Sequence, residues 1–222
     1  MNTAALIVLL SSAPALAPGG LPAGWEPLTF PKIKAHTSYE WDASSAALHA
    51  RAERSASGLI VRREGSIVET PILRWRWKID RLPAGGDEHV KKGDDYAARI
   101  YVTFLYDPSR EKTAARLKYG LLKKLRRGYA PHAALIYIWA NKLPQGQSTR
   151  SPYTKRVIMV AARSGDAGVG EWRSEERNVL EDYRRLFGEE PPSYSGIAIM
   201  TDADNTKDAA EAWYADISLS AQ

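Results

Sequence analysis

No cysteine occurs in the 222 residues. That excludes disulfides and a thiol nucleophile, so stability has to come from a buried core, which a chain of this length is able to form. Charge is missing from Met1 to Ala17, where the apolar run Ala4-Ala5-Leu6-Ile7-Val8-Leu9-Leu10 is followed by Ala15-Leu16-Ala17. The run is too short for a stable membrane anchor, and the small residues Ala15 and Ala17 ahead of Pro18-Gly19-Gly20 fit a signal-peptidase site. A signal peptide over residues 1–17 is therefore expected, with a periplasmic or secreted mature chain, although the Lys or Arg that commonly precedes such a run is absent too. No later segment stays apolar for long enough to span a bilayer, so the mature chain is expected to carry no transmembrane segment. No Pro/Gly/Ser linker or internal repeat divides residues 18–222, and a single domain is expected there.

The common signatures of catalysis are missing as well. There is no Gly-rich phosphate loop, no His pair at helical spacing and no Gly-x-Ser-x-Gly elbow. His36, His49, His89 and His132 are scattered and share no metal-ligand spacing. The net charge of +5 is not spread over the chain. Arg110 to Arg127 holds eight basic residues and one acid, a local +7, which leaves −2 for everything else. One cationic segment on a near-neutral body argues against a nucleic-acid binder and leaves contact with an anionic surface open.

What is present is period-two alternation, which places one face of a strand in a core and the other in solvent or in a site. From Ile72 to Ile79, Leu73, Trp75, Trp77 and Ile79 share one face, and Arg74, Arg76 and Lys78 the other. From Tyr96 to Leu105, Ala98, Ile100, Val102 and Phe104 face inward while Arg99, Tyr101 and Thr103 face out. Further strands are expected around Leu48–Ala52, Gly58–Val61, Ala134–Trp139, Val157–Ala162, Gly196–Met200 and Trp213–Leu219. Short strands separated by turn residues read as a sandwich and not as βαβ units. Two helices are expected: one from Asp107 to about Arg127, and a short one over Val179–Phe187, with Asn178 and Glu181 in capping-box positions and Gly188 as its stop.

Three polar clusters are candidates for chemistry. In Lys91-Lys92-Gly93-Asp94-Asp95-Tyr96-Ala97-Ala98-Arg99, acids precede a strand whose outward face begins with Arg99 and Tyr101. Such groups suit a saccharide, because carboxylates and guanidinium groups bond sugar hydroxyls and aromatic rings stack on pyranose faces, yet the same acids would serve as turn caps paired with Lys91, Lys92 or Arg99. In Thr201-Asp202-Ala203-Asp204-Asn205-Thr206, the side chains of Asp202, Asp204 and Asn205 are candidate calcium ligands; an Asx-type turn needs the same residues. Asp216, with Tyr214 and Ser218 on the polar side of the last strand, is expected near the same end of the sheet. Arg74, Arg76 and Lys78 would join Arg99 and Tyr101 on one sheet face if their strands are neighbours, and such a face would attract an anionic glycan. Glu175 and Glu176 offer carboxylates with no second partner at known distance, so no glycosidase assignment follows.

The segments Ser55-Ala56-Ser57-Gly58-Leu59, Leu73-Arg74-Trp75-Arg76-Trp77-Lys78, Gly93-Asp94-Asp95-Tyr96-Ala97-Ala98-Arg99, Ser151-Pro152-Tyr153-Thr154, Glu176-Arg177-Asn178-Val179 and Met200-Thr201-Asp202-Ala203-Asp204-Asn205-Thr206 closely resemble a bacterial family catalogued as a domain of unknown function, number 3047. That resemblance spans nearly all of the mature chain and implies membership, with no activity or catalytic residues to carry over. The ending Trp213-Tyr214-Ala215-Asp216-Ile217-Ser218-Leu219 looks like the last strand of jelly-roll carbohydrate-binding modules.

The expected fold is mostly β, an antiparallel jelly-roll-like β-sandwich with one or two helical insertions. The expected function is noncatalytic binding of a saccharide, an anionic one included, through Arg74, Arg76, Asp94, Asp95, Arg99 and Tyr101. Two alternatives stand beside it. One is a cell-envelope polysaccharide lyase or hydrolase on the same face, with Tyr101 as base and Arg99 neutralising a uronate. The other is adhesion of the Arg110 to Arg127 segment to an anionic surface.

Overall fold

The computed structural model describes residues 6–106 and 133–221. The helix expected from Asp107, and with it the basic segment Arg110 to Arg127, lies outside the described residues. Among the described residues the chain forms β1 (Leu6–Leu10), β2 (Glu26–Leu28), β3 (Ser38–Asp42), β4 (Ala47–Glu53), β5 (Ala56–Gly65), β6 (Ile72–Ile79), a 3-10 turn (Lys91–Gly93), β7 (Arg99–Phe104), β8 (Ala133–Ala140), β9 (Ser148–Arg150), β10 (Val157–Ser164), β11 (Arg173–Asn178), α1 (Val179–Phe187), β12 (Tyr194–Asp202) and β13 (Ala209–Ser220). They build a jelly-roll-like β-sandwich. One sheet runs β11-β6-β13-β4-β3, with β1 also on β13, and the other runs β2-β5-β12-β7-β8-β10-β9. Every pairing is antiparallel except that of β8 with β10, which is parallel.

The alternation read in β6 has a direct structural counterpart. Leu73, Trp75, Trp77 and Ile79 are buried, and Arg74, Arg76 and Lys78 are half-buried on the other face. Across the core, Trp75 packs on Tyr137 at 5.4 Å and Trp77 on Trp139 at 5.9 Å between ring centroids, which ties β6 of one sheet to β8 of the other. Large side chains such as these each contribute roughly 1.5–3 kcal/mol when fully buried. Strand β8 is buried along its whole length, on both faces. Period-two patterning is accordingly absent from it, as expected for a strand covered on two sides.

Helix α1 has the predicted bounds. The Asn178 side chain accepts a hydrogen bond from the Glu181 amide, and Gly188 closes the helix at φ 74°, where a Cβ would be strained. Strands β1, β2, β3, β9 and β11 were not expected. Strand β1 lies inside the apolar run read as a leader: Leu6 to Leu10 pair with Ser220 to Ile217 of β13. The Pro18-Gly19-Gly20 stretch is held in a turn, with the Ala17 amide on the Leu21 carbonyl and the Ala23 amide on that of Ala15. Among the described residues no helix is long and apolar enough to cross a membrane.

Candidate functional site

Because β7 lies between β12 and β8, its outward residues have neighbours on both sides. Arg99 is opposite Met200 and Ile138, Tyr101 opposite Ala198 and Ile136, and Thr103 opposite Gly196 and Ala134. Arg99 and Tyr101 thus share the outer face of the seven-stranded sheet, as their alternation predicts. The face is not open, however. Arg99 is 4% exposed, and Ile136, Ile138 and Met159 on the same face form a second buried apolar cluster with Tyr96.

Arg74 and Arg76 are elsewhere. They were expected beside Arg99 and Tyr101, but β6 belongs to the six-stranded sheet, so they sit on the opposite outer face of the sandwich. There Arg74 Nε donates to Glu176 at 2.6 Å and to Ser220 through Nη1 at 2.5 Å, and Arg76 Nε donates to Asp216 at 2.6 Å. The guanidinium of Arg76 also lies 4.9 Å from the Trp172 ring. The expectation for Tyr214 and Asp216 needs correcting too. A bulge between Ala215 and Ser218 in the β6 pairing, with Asp216 at φ 50°, sends Asp216 to the Arg76 side while Tyr214 is fully buried.

The residues that do come together are those of the two acidic loops. Asp95, fully buried, accepts from the Thr206 amide and hydroxyl at 2.6 Å each, and from the Asn205 amide and side chain at 3.1 and 3.3 Å. It therefore clamps the Asp202–Thr206 loop against the approach to β7. Gly93 is required just before it, since a Cβ there would lie 2.6 Å from the Asp87 backbone nitrogen. Asp202 accepts from the Tyr96 amide at 3.1 Å through Oδ1 and from Arg99 Nη2 through Oδ2. The Arg99 guanidinium lies 4.7 Å from the Tyr96 ring and 5.6 Å from that of Tyr101. Its Nη1 is 3.9 Å from Asp94, whose other oxygen accepts from the Tyr96 hydroxyl at 3.1 Å. Its Nε is buried without a hydrogen-bond partner.

Behind this cluster a buried polar network fixes the strands. The Tyr214 hydroxyl donates to the Met200 carbonyl at 2.8 Å and is 2.9 Å from the Thr201 hydroxyl, which bonds the Ala97 carbonyl at 2.8 Å. Thr201 N donates to the Tyr39 hydroxyl at 3.2 Å, and that hydroxyl donates to Ser57 O at 2.7 Å. In front, Tyr153 stands 55% exposed, with the Lys91 ammonium 5.3 Å from its ring. Tyr96, Tyr153 and Thr206 were not named from the sequence as site residues, although Tyr96 and Thr206 lie within the two acidic runs read there as candidates and Tyr153 within a segment quoted for the family resemblance.

Burial raises the Asp94 carboxyl above the ordinary carboxylate range, opposed by Arg99. Asp202 is pushed well above that range by its complete burial, again opposed by Arg99. Burial works against the charge on Arg99, yet Asp202 beside it holds its pKa above the ordinary value. Tyr101 is raised by burial more than Arg99 lowers it, so its phenol stays protonated. The arrangement is a fixed guanidinium flanked by two rings, with the Asp94 carboxyl at its outer edge. That suits hydrogen bonding to a polyol better than proton abstraction.

The match to the family described as "Protein of unknown function (DUF3047)" covers residues 23–218. The chain belongs to this family. Both acidic loops and Tyr153 fall within the matched span, as do Arg74 and Arg76, so the family region includes both outer faces. No curated protein matches the chain. Among solved structures, the family 11 carbohydrate-binding module of a cellulosomal cellulase from Clostridium thermocellum matches with TM-score 0.49 and 10% identity, over 100% of this chain and 97% of that one. A mutant family 29 module, CBM29-2, complexed with mannohexaose matches with TM-score 0.41 and 11% identity, over 98% and 92% of the two chains. Neither likeness bears on the chemistry of the site.

Two outcomes follow from the buried charges. Arg99→Met leaves Asp202 buried without its counter-charge and should destabilise the fold by about 3–5 kcal/mol in a denaturant melt. Asp94→Asn should act in the other direction and depend on pH. A carboxyl whose pKa is raised on folding costs stability above its folded pKa, and that cost disappears as pH falls to its unfolded value. Asp94→Asn should therefore melt higher than the wild type at pH 7, with the gap closing toward pH 4; an equal gap at both would show that Asp94 is not raised.

Proposed function

We propose that this protein binds a saccharide, without turnover, at the edge formed by Asp94, Tyr96, Arg99, Tyr101 and Tyr153. The observation that carries the reading is the Asp94 carboxyl, 13% exposed, set beside the Arg99 guanidinium that Asp202 immobilises against two tyrosine rings, with the Tyr153 ring 55% exposed in front. Sugar hydroxyls donate to carboxylates, so Asp94, held in place by the guanidinium beside it, supplies a partner, and an exposed ring such as Tyr153 supplies a stacking surface. Groups held this firmly lose little freedom on binding. Arg74 and Arg76, engaged by Glu176 and Asp216 on the far face, are no part of this site.

Charge refines the ligand class. Asp94 and Asp202 lie on Arg99, and Asp95 and Asp204 gather about Asp202; against the Arg99 and Lys91 cations this excess of carboxyl groups disfavours a polyanion and favours a neutral or amino saccharide over a uronate. The lyase reading is weakened by Tyr101, since a phenol raised above its ordinary pKa is a poor base near neutrality. Surface adhesion through Arg110 to Arg127 rests on the charge of that segment alone. Export to the periplasm or beyond, after cleavage near Ala17, is supported by the uncharged run and its small residues, and accords with a polysaccharide ligand.

A glycan array carrying neutral, amino and uronic oligosaccharides tests this. Retention is expected on neutral or amino arms, with at least a tenfold loss in Asp94→Asn and in Tyr153→Ala, the latter with a wild-type melt because Tyr153 is exposed. Neither reducing ends nor ultraviolet-absorbing unsaturated uronates should accumulate. Retention on uronic arms alone, or on none, would sink the proposal.

A calcium reading has one observation in its favour: carboxylate oxygens of Asp95, Asp202 and Asp204 lie within 4.8 Å of one another. Against it, Asp95 already accepts from Asn205 and Thr206, and Asp202 from Arg99 and Tyr96. The Asn205 side chain is itself turned to donate to the Asp94 carbonyl at 3.2 Å. A cation would have to displace these donors and sit beside Arg99. The melting temperature is accordingly expected to be the same in EDTA and in millimolar calcium; a rise with calcium concentration would establish the site.

A further inference from the structure

Strand β13 has β6 along one side from Ala212 to Ser220, but on its other side β4 covers only Ala209 to Tyr214. The remaining flank, Ile217 to Ser220, is filled by β1, whose Leu6, Ile7, Val8 and Leu10 pair with Ser220, Leu219, Ser218 and Ile217. The fit extends beyond backbone pairing. Leu10 is 1% and Leu9 9% exposed, both within the main core cluster that includes Ile217 and Leu219. The Trp25 indole, itself buried, donates to the Leu9 carbonyl at 2.9 Å. Outward, Leu6 and Val8 are 64% and 56% exposed. A strand evolved only for this edge would carry polar residues at those two positions; a run that is apolar throughout satisfies the groove on one face and leaves the other greasy.

We propose that the flank of β13 over Ile217–Ser220 is a strand-acceptor groove for an extended apolar segment, filled in the full-length chain by residues 6–10. Its chemistry is that of β-augmentation: edge amides and carbonyls supply affinity, and the recess that holds Leu9 and Leu10 supplies selectivity for large aliphatic side chains. Excision of the leader near Ala17 would empty the groove, unpair those edge groups and leave the Trp25 indole without its acceptor, so the groove would then take the same segment in trans. The inference is independent of the saccharide site, which is built from β7, β12 and their loops.

The test uses the full chain. Amide exchange is measured at residues 217–220 and at the Trp25 indole, with the amides of β6 as internal reference, in Leu10→Asp and Leu6→Asp variants. Leu10→Asp should accelerate exchange at these sites at least about tenfold, and the exposed Leu6→Asp should leave it near wild type. Saturating synthetic peptide of residues 4–12 should restore the protection lost in Leu10→Asp. Unchanged protection in Leu10→Asp, equal loss in both variants, or no restoration by the peptide would each overturn the proposal. If Leu10→Asp unfolds the whole domain, Leu10→Ala carries the same test with smaller amplitude.

Discussion

An arginine and an aspartate buried together impose order on everything near them. Taking Arg99 and Asp202 out of water costs several kcal/mol per charge, and the cost is offset only when each finds close, well-directed partners. Asp202 is held by the Tyr96 amide on one oxygen and Arg99 on the other, and the guanidinium is flanked by the rings of Tyr96 and Tyr101. Asp95 in turn pins the loop that follows Asp202, and the hydroxyls of Tyr39, Thr201 and Tyr214 hold β12 in place behind it. A polar interior of this kind tolerates little displacement. Its rigidity is what makes the edge at Asp94 a defined surface and not a flexible loop.

The two outer faces of the sandwich use the same residue types for different ends. On the six-stranded sheet, arginines pair with acids across neighbouring strands in half-exposed positions, where each pair contributes at most about 1 kcal/mol. The Lys78 ammonium lies 4.0 Å from the Trp213 ring and His49 stacks on that ring at 4.2 Å, so a tryptophan that would otherwise offer a stacking platform is occupied by its own sheet. On the seven-stranded sheet, Arg99 is buried against Asp202, and Asp94 lies 3.9 Å from its Nη1.

How far the sequence reveals this depends on whether a feature is local. The bounds of β6 and α1 follow from alternation, an Asn178 cap and a Gly188 stop, all within a few residues of one another. Strand β11 escapes because its buried position is Glu175, which is accommodated by Arg163 at 2.5 Å and the Trp77 indole at 3.3 Å, so no apolar alternation betrays it. Tyr214 is misplaced by a period-two reading because the bulge at Asp216 shifts the phase of β13 midway: Tyr214, Ile217 and Leu219 all face the core. Asp94, Asp95, Asp202 and Asp204 are each conspicuous as loop acids, but their meeting depends on β7 and β12 being neighbours, a long-range fact. For the same reason Arg74 and Arg76 looked like companions of Arg99 when they are separated from it by the whole core.

The final strand of the chain is also the middle of its sheet. Residues 209–220 lie between β6 on one side and β4 and β1 on the other, and their pairing partners come from the first eighty residues. Contacts that span so much of the sequence make closure slow, since the loop entropy is lost before any pairing rewards it. More than that, the six-stranded layer has no centre until residues 209–220 are in place, so a chain still lacking them can form hairpins but not this sandwich. A ribosome-bound chain of this topology remains threadable until residues 209–220 have emerged.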